Sequence, residues 1–152
     1  MLFKALQAIS MLFCVLRDQC AKYYPEIMPL LKELLSQIPN TNERRTQIRV
    51  ETIECIGFIL GSVRHEKGFQ EAIDQLMEYF INLEQILDKN DIEHTAIIEV
   101  YCQISSYITH GFAKYMPLVF EIITQKLENE NELILEKQNV PQNSSHKVYK
   151  LI

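Results

Sequence analysis

Glycine is scarce in this chain: 4 residues in 152, alongside 5 prolines. Both fall below the usual ~7% and ~5% of a soluble protein. So few leave little material for hairpin turns and irregular loops, which excludes a β-sandwich and favours an all-α fold. Disorder is excluded by the apolar content of 47%, enough for a core. Chemical motifs are missing as well. Of the four histidines, His65, His94, His110 and His146, no two stand at metal-ligand spacing, and His65-Glu66 lacks the second histidine of H-E-x-x-H. There is no G-x-G-x-x-G, no P-loop and no nucleophile elbow. No catalytic, cofactor-binding or metal-ligating residue is expected, and the chain reads as a non-enzyme.

The four cysteines, Cys14, Cys20, Cys55 and Cys102, form no C-x-x-C pair. They are expected to be reduced, buried small hydrophobes, in keeping with the cytoplasm and nucleus. Long hydrophobic runs are lacking too. Residues 1–16 resemble a short signal peptide, but the run exits into Arg17-Asp18-Gln19 with no A-x-A-like site. It is shorter than the ~20 residues of a membrane span, so it reads as a helix and no membrane insertion is expected. In an intracellular chain the sequon at Asn143 carries no weight.

What is present is unevenly spread charge. The net charge is −5 and the pI about 5.4. An acidic chain does not favour direct nucleic-acid binding. Residues 67–136 hold 13 acids against 4 bases, whereas residues 1–66 are almost balanced and the last sixteen residues carry 3 lysines and no acid. The acidic half is a field that basic partners would feel.

Apolar periodicity predicts six helices, over 2–18, 24–38, 43–64, 69–87, 92–109 and 112–129. Pro25 suits a first helical turn. Thr41 or Asn42 can cap the third helix, and 88–91 is a polar turn with good caps. Polar residues with Pro141 read as a tail. The first-helix segments Tyr24-Pro-Glu-Ile-Met-Pro-Leu-Leu-Lys-Glu-Leu-Leu35, Phe69-Gln-Glu-Ala-Ile-Asp-Gln-Leu-Met-Glu-Tyr-Phe80 and Phe112-Ala-Lys-Tyr-Met-Pro-Leu-Val-Phe-Glu-Ile-Ile123 align. Leu31, Leu76 and Val119 coincide, as do Glu33, Glu78 and Glu121, at offsets of 45 and 43 residues. That is the ~40–47 period of HEAT helix pairs. The expected architecture is an all-α, right-handed HEAT-repeat solenoid of about 2.5 helix pairs. Its parts are the second helix of a truncated repeat (1–20), repeats over 21–66 and 67–110, the first helix of another (111–130), and a partly disordered polar tail (131–152).

Thr52-Ile-Glu-Cys-Ile-Gly-Phe-Ile-Leu60 followed by Val63-Arg-His-Glu-Lys-Gly-Phe-Gln70 resembles a mid-protein segment of the importin-β (karyopherin-β) family of nuclear transport receptors. The helix at 24–35 and Lys114-Tyr-Met-Pro-Leu-Val119 fall in the matching order, so the resemblance covers about residues 20–127. Beyond about residue 130 the chain departs from the family. The resemblance implies an internal fragment of a receptor that carries protein cargo through nuclear pores. It also implies nucleoporin contacts and release by the GTPase Ran for the full-length receptor. Ran contacts in the family depend on amino-terminal repeats absent here, so this piece alone would not be a working carrier. The alternative is a HEAT scaffold or phosphatase-type regulatory subunit with no transport role.

In that family the second helices line the inner surface where partners lie. On 43–64 the side opposite the apolar residues is Arg44, Gln47, Glu51, Glu54 and Phe58, spaced 3, 4, 3 and 4. On 92–109 it is Glu99, Gln103 and Ser106, with His110 just beyond. Side by side, these stripes are candidates to hold a basic protein cargo: carboxylates for Lys or Arg, Phe58 for an aliphatic stem. Arg44, Arg45 and Arg49 add a basic spot at the turn, read as a solvated helix start or an internal ion pair. Helix 2–18 is apolar on nearly every side and does not look like a cap, so self-association through it is expected.

Overall fold

The structure, a computed structural model, describes residues 1–139 except 40, 89, 90 and 109, with side-chain surroundings through residue 129. All regular structure among the described residues is helical. The helices are α1 (Leu2–Leu16), α2 (Tyr24–Gln37), α3 (Glu43–Ser62), α4 (Phe69–Glu84), α5 (Glu93–Ile108) and α6 (Met116–Asn139). Short 3₁₀ segments, Arg17–Tyr23 and Gly111–Lys114, precede α2 and α6. The expected boundaries hold within a few residues for the first five helices. The sixth starts later than expected and runs to Asn139, well past 129. Residues 130–139 contain no Gly or Pro and are rich in Glu and Leu, good helix formers. The tail expected from 131 is therefore helical to Asn139, and its remainder, 140–152, lies outside the described residues.

Local chemistry sets the helix ends. Asn42 Oδ1 accepts the Arg45 N–H at 3.1 Å, capping α3, and Asp91 Oδ1 accepts the Glu93 N–H at 2.9 Å, capping α5. Gly68 precedes α4 at φ 87°, a conformation that side-chain-bearing residues resist. Arg17 closes α1 at φ 44°. Pro25 sits in the first turn of α2, where no N–H partner is needed. Pro29 lies deeper inside α2, while Pro117 is the second residue of α6.

α1, α3 and α5 pack side by side, with α2 against α3 and α4 against α5. α3 therefore has neighbours on three sides. Its sequence displays one apolar stripe, yet Thr52, Ile53, Cys55, Ile56, Gly57, Ile59, Leu60 and Ser62 are all buried. Between 50 and 63 Phe58 alone is exposed. Two glycines one turn apart let α5 approach. A Cβ on Gly57 would overlap the Gln103 amide, and one on Gly61 would lie 2.7 Å from the Tyr107 hydroxyl.

A buried ion pair crosses the same contact. Arg49 Nε donates to Glu93 Oε1 at 2.5 Å and Nη2 donates to Glu93 Oε2 at 2.9 Å. Arg49 Nη1 donates to the carbonyl oxygens of Leu35 and of Ile38, the latter at 2.7 Å. Those carbonyls end α2 and have no partner within it. The Glu93 hydrogen bond raises the Arg49 pKa against the opposing effect of burial. A second tie joins α4 to the segment before α6. Asp74 accepts from Lys114 Nζ at 2.8 and 2.9 Å, from the Tyr115 hydroxyl, and from Gln70 Nε2 at 2.8 Å. The Lys114 hydrogen bond, then that of Tyr115, holds the Asp74 carboxyl below its usual range.

Cys20 and Cys55 are buried as expected, and burial pushes the Cys55 thiol up to about 11. Cys14 and Cys102 are exposed, which corrects the expectation of four buried thiols. They belong to α1 and α5, the outer helices of their layer, each with an uncovered side. The uncovered side of α1 also exposes Leu2, Met11, Leu12, Val15 and Leu16, Met11 at 68% and Val15 at 74%.

Arg49→Met leaves Glu93 charged and buried without its partner. It is expected to cost about 3–5 kcal/mol in urea unfolding, with part recovered in Arg49→Met/Glu93→Gln. Gly57→Leu overpacks the α3–α5 contact and is expected to cost about 1–3 kcal/mol. A loss under 0.5 kcal/mol, within the usual range of a surface change, would show that the two helices can part there freely.

Candidate functional site

The eight candidate residues do not form one continuous stripe. Arg44 and Gln47 are exposed in the first turns of α3. With Met1, Leu2, Phe3 and Ile48 they line an open groove of about 500 Å³ on the α1 side. Farther along α3, the charges of Glu51 and of Glu99 on α5 both reach Glu54. There Glu51 and Glu54 are half-buried and Glu99 is exposed. Burial, and then the charges of Glu51 and Glu99, hold the Glu54 carboxyl above its usual range. Packing of α3 on α5 thus gathers carboxylates from both helices into one field.

Phe58 stands one helical turn beyond Glu54 and is 38% exposed. Gln103 occupies the space left by the missing side chain of Gly57, and its Oε1 is buried without a hydrogen bond. The Gln103 carbonyl accepts from Ser106 Oγ at 2.7 Å, so the exposed Ser106 hydroxyl is tied to its own helix. The structure therefore brings together Glu51, Glu54, Glu99 and Gln103 beside Phe58. Ser106 lies one turn farther along α5, and Arg44 and Gln47 stand apart. Half-buried carboxylates next to an exposed ring suit a cationic group with an aliphatic stem.

The basic spot at the turn divides. Arg44 and Arg45 are exposed, and Arg45 Nη1 donates to Thr41 Oγ1 at 2.9 Å. Arg49 is buried in the ion pair described above. A pairing that sequence spacing does not signal joins α4 to α5: His94 Nδ1 meets Glu84 Oε2, and His94 Nε2 lies 2.9 Å from the Asp88 carbonyl oxygen. Burial raises the Glu84 carboxyl above its usual range, against the lowering effect of His94. Among the described residues no group of three or more His, Cys, Asp and Glu could hold a metal ion. None of the described helices is long and apolar enough to cross a membrane. No protein-family model, no curated protein and no solved structure matches the chain.

A carboxyl whose folded pKa is raised favours folding below its unfolded value, and that contribution is lost as pH rises through the folded one. Glu99→Gln removes one source of the shift. It is expected to lower the midpoint of the Glu54 side-chain carboxyl in a ¹³C NMR titration. It is also expected to lessen the stability lost as pH rises above the usual carboxylate range. An unmoved midpoint would mean that the two carboxylates do not share a field.

Proposed function

We propose that this chain is a non-enzymatic protein-binding segment of an importin-β-type nuclear transport receptor, built as a right-handed HEAT-type solenoid. The helix pairs at a period of about 44 residues and the layering of α1, α3 and α5 support the architecture. The sequence resemblance over residues 20–127 supports the transport role, in which nucleoporins and Ran act on the full-length receptor. The chain then works in the cytoplasm and nucleus. The exposed apolar side of α1 is the kind of surface that a neighbouring helix pair covers in a stacked array.

One observation carries the binding role: Glu51, Glu54 and Glu99 gathered beside the exposed Phe58. In this reading the patch holds a lysine- or arginine-rich stretch of a protein cargo. The carboxylates take the charges and Phe58 packs on a side-chain stem. Gln103 and Ser106 extend the patch along α5, and Arg44 and Gln47 contact a separate part of the cargo.

The test is fluorescence anisotropy with a labelled basic peptide. Raising salt from about 50 to 300 mM is expected to weaken binding several-fold, because exposed charges are screened. Reversing Glu51, Glu54 and Glu99 to Lys is expected to abolish binding. Unchanged affinity in that variant would sink the assignment of the patch.

A further inference from the structure

Ion pairs in the structure join Arg49 to Glu93, His94 to Glu84 and Lys114 to Asp74. Among the described residues none involves Glu51, Glu54 or Glu99. Glu51 and Glu99 instead set like charge against Glu54. Three carboxylates gathered without a cation form a negative field that draws positive charge from wherever the chain supplies it.

Such charge is concentrated at the end of the sequence. Residues 140–152, outside the described residues, hold Lys147, Lys150 and His146 and no acid. The last of them read His146-Lys-Val-Tyr-Lys-Leu-Ile152. Lys147 and Lys150 are three positions apart, as Glu51 and Glu54 are, and Tyr149 between them matches the aromatic Phe58 beside the carboxylates.

The geometry of α6 puts this segment within reach. Just before α6, Lys114 and Tyr115 bond to Asp74 in the first half of α4, and farther along Gln125 and Lys126 share a groove with Glu84 and Gln85 at the end of α4. α6 therefore runs in the same direction as α4. α5 runs the other way: Tyr101 meets Phe80, and His94 meets Glu84. His94 and Asn129 line the same groove, so α6 passes the start of α5 near Asn129. From there α6 continues about 15 Å to Asn139, while Glu99 lies about 9 Å into α5. Doubling back about 24 Å while crossing one helix diameter of about 10 Å is a path of about 26 Å. From Asn139 the chain spans up to roughly 28 Å to Lys147 and roughly 38 Å to Lys150.

We infer that residues 146–152 dock on this chain's own acidic patch, Lys147 and Lys150 pairing with Glu51, Glu54 and Glu99 and Tyr149 lying against Phe58, so that the segment guards the patch against basic partners. The inference rests on the patch being a site for basic peptides and gives that site an internal competitor. A tethered segment acts at an effective concentration of millimolar order, so a contact too weak to persist between separate molecules holds here. A partner has to displace it, which reserves the patch for stretches with more cationic groups than the tail has.

The test compares the full chain with Lys147→Gln/Lys150→Gln, and with Lys22→Gln/Lys67→Gln as a control of equal charge change at exposed lysines elsewhere. By fluorescence anisotropy with a labelled hexalysine peptide, the tail variant is expected to bind at least threefold more tightly than the unaltered chain, and the control no more tightly. In ¹⁵N NMR spectra without peptide, the tail variant is expected to shift amides of 51–58 and 99–106, to the same extent at chain concentrations tenfold apart. Equal peptide affinity in tail variant and unaltered chain, equal tightening in the control, or unmoved amides at the patch would each overturn the tail contact and leave the patch standing as a site. Shifts that grow with concentration would put one copy's tail on another copy and overturn the contact within one chain. Peptide binding by none of the chains would remove the patch as a basic-peptide site, and the inference with it.

Discussion

One guanidinium sits where three helices meet. Arg49 spends its donors on both oxygens of Glu93 and on two terminal carbonyls of α2. The end of α2 carries partial negative charge and the start of α5 partial positive charge, so a cation at the first and an anion at the second are each favoured. Taking both charges from water is costly, and only a complete set of partners offsets it. The axial positions of α2, α3 and α5 are thereby set together. A slip of one turn in any of them would strand a charge in the core.

Helix existence was legible in residue spacing, because an apolar stripe at the helical period has few other uses. Caps were legible where Asn42 and Asp91 stood before an apolar run. The end of α6 was not, since glutamates near 130 serve a helix and a solvated tail equally well. The burial around α3 was hidden for a different reason: a central helix owes its environment to distant neighbours, not to its own pattern. Arg49 and Glu93 did leave a signal. They are 44 residues apart, one repeat offset, which is the distance at which equivalent helices become neighbours. Gly57 and Gly61 could have been noticed as a small-residue pair one turn apart in a chain poor in glycine.

Half of the candidate site was legible and half was not. Alternation of 3 and 4 placed Glu51, Glu54 and Phe58 on one side of α3, and the structure keeps them there. The same spacing grouped Arg44 and Gln47 with them, but α1 covers the start of α3 and draws those residues to its own edge. Two carboxyls, Glu54 and Glu84, titrate high, and burial leads in both. They differ in company. Glu54 has acidic neighbours, so like charge adds to burial, whereas Glu84 faces His94 and Lys126, which oppose it. Sequence alone could not separate these cases, because the difference lies in what α5 and α6 bring across.

The glycines of α3 also set how evenly the helices are spaced. They let the axes of α3 and α5 come close, while among the described residues α2, α4 and α6 touch one another far less. Helix pairs spaced tightly on one side and loosely on the other are wedges. Two hydrogen atoms in place of two side chains thus draw α5 against α3 on the side where Gln103 and Tyr107 meet it.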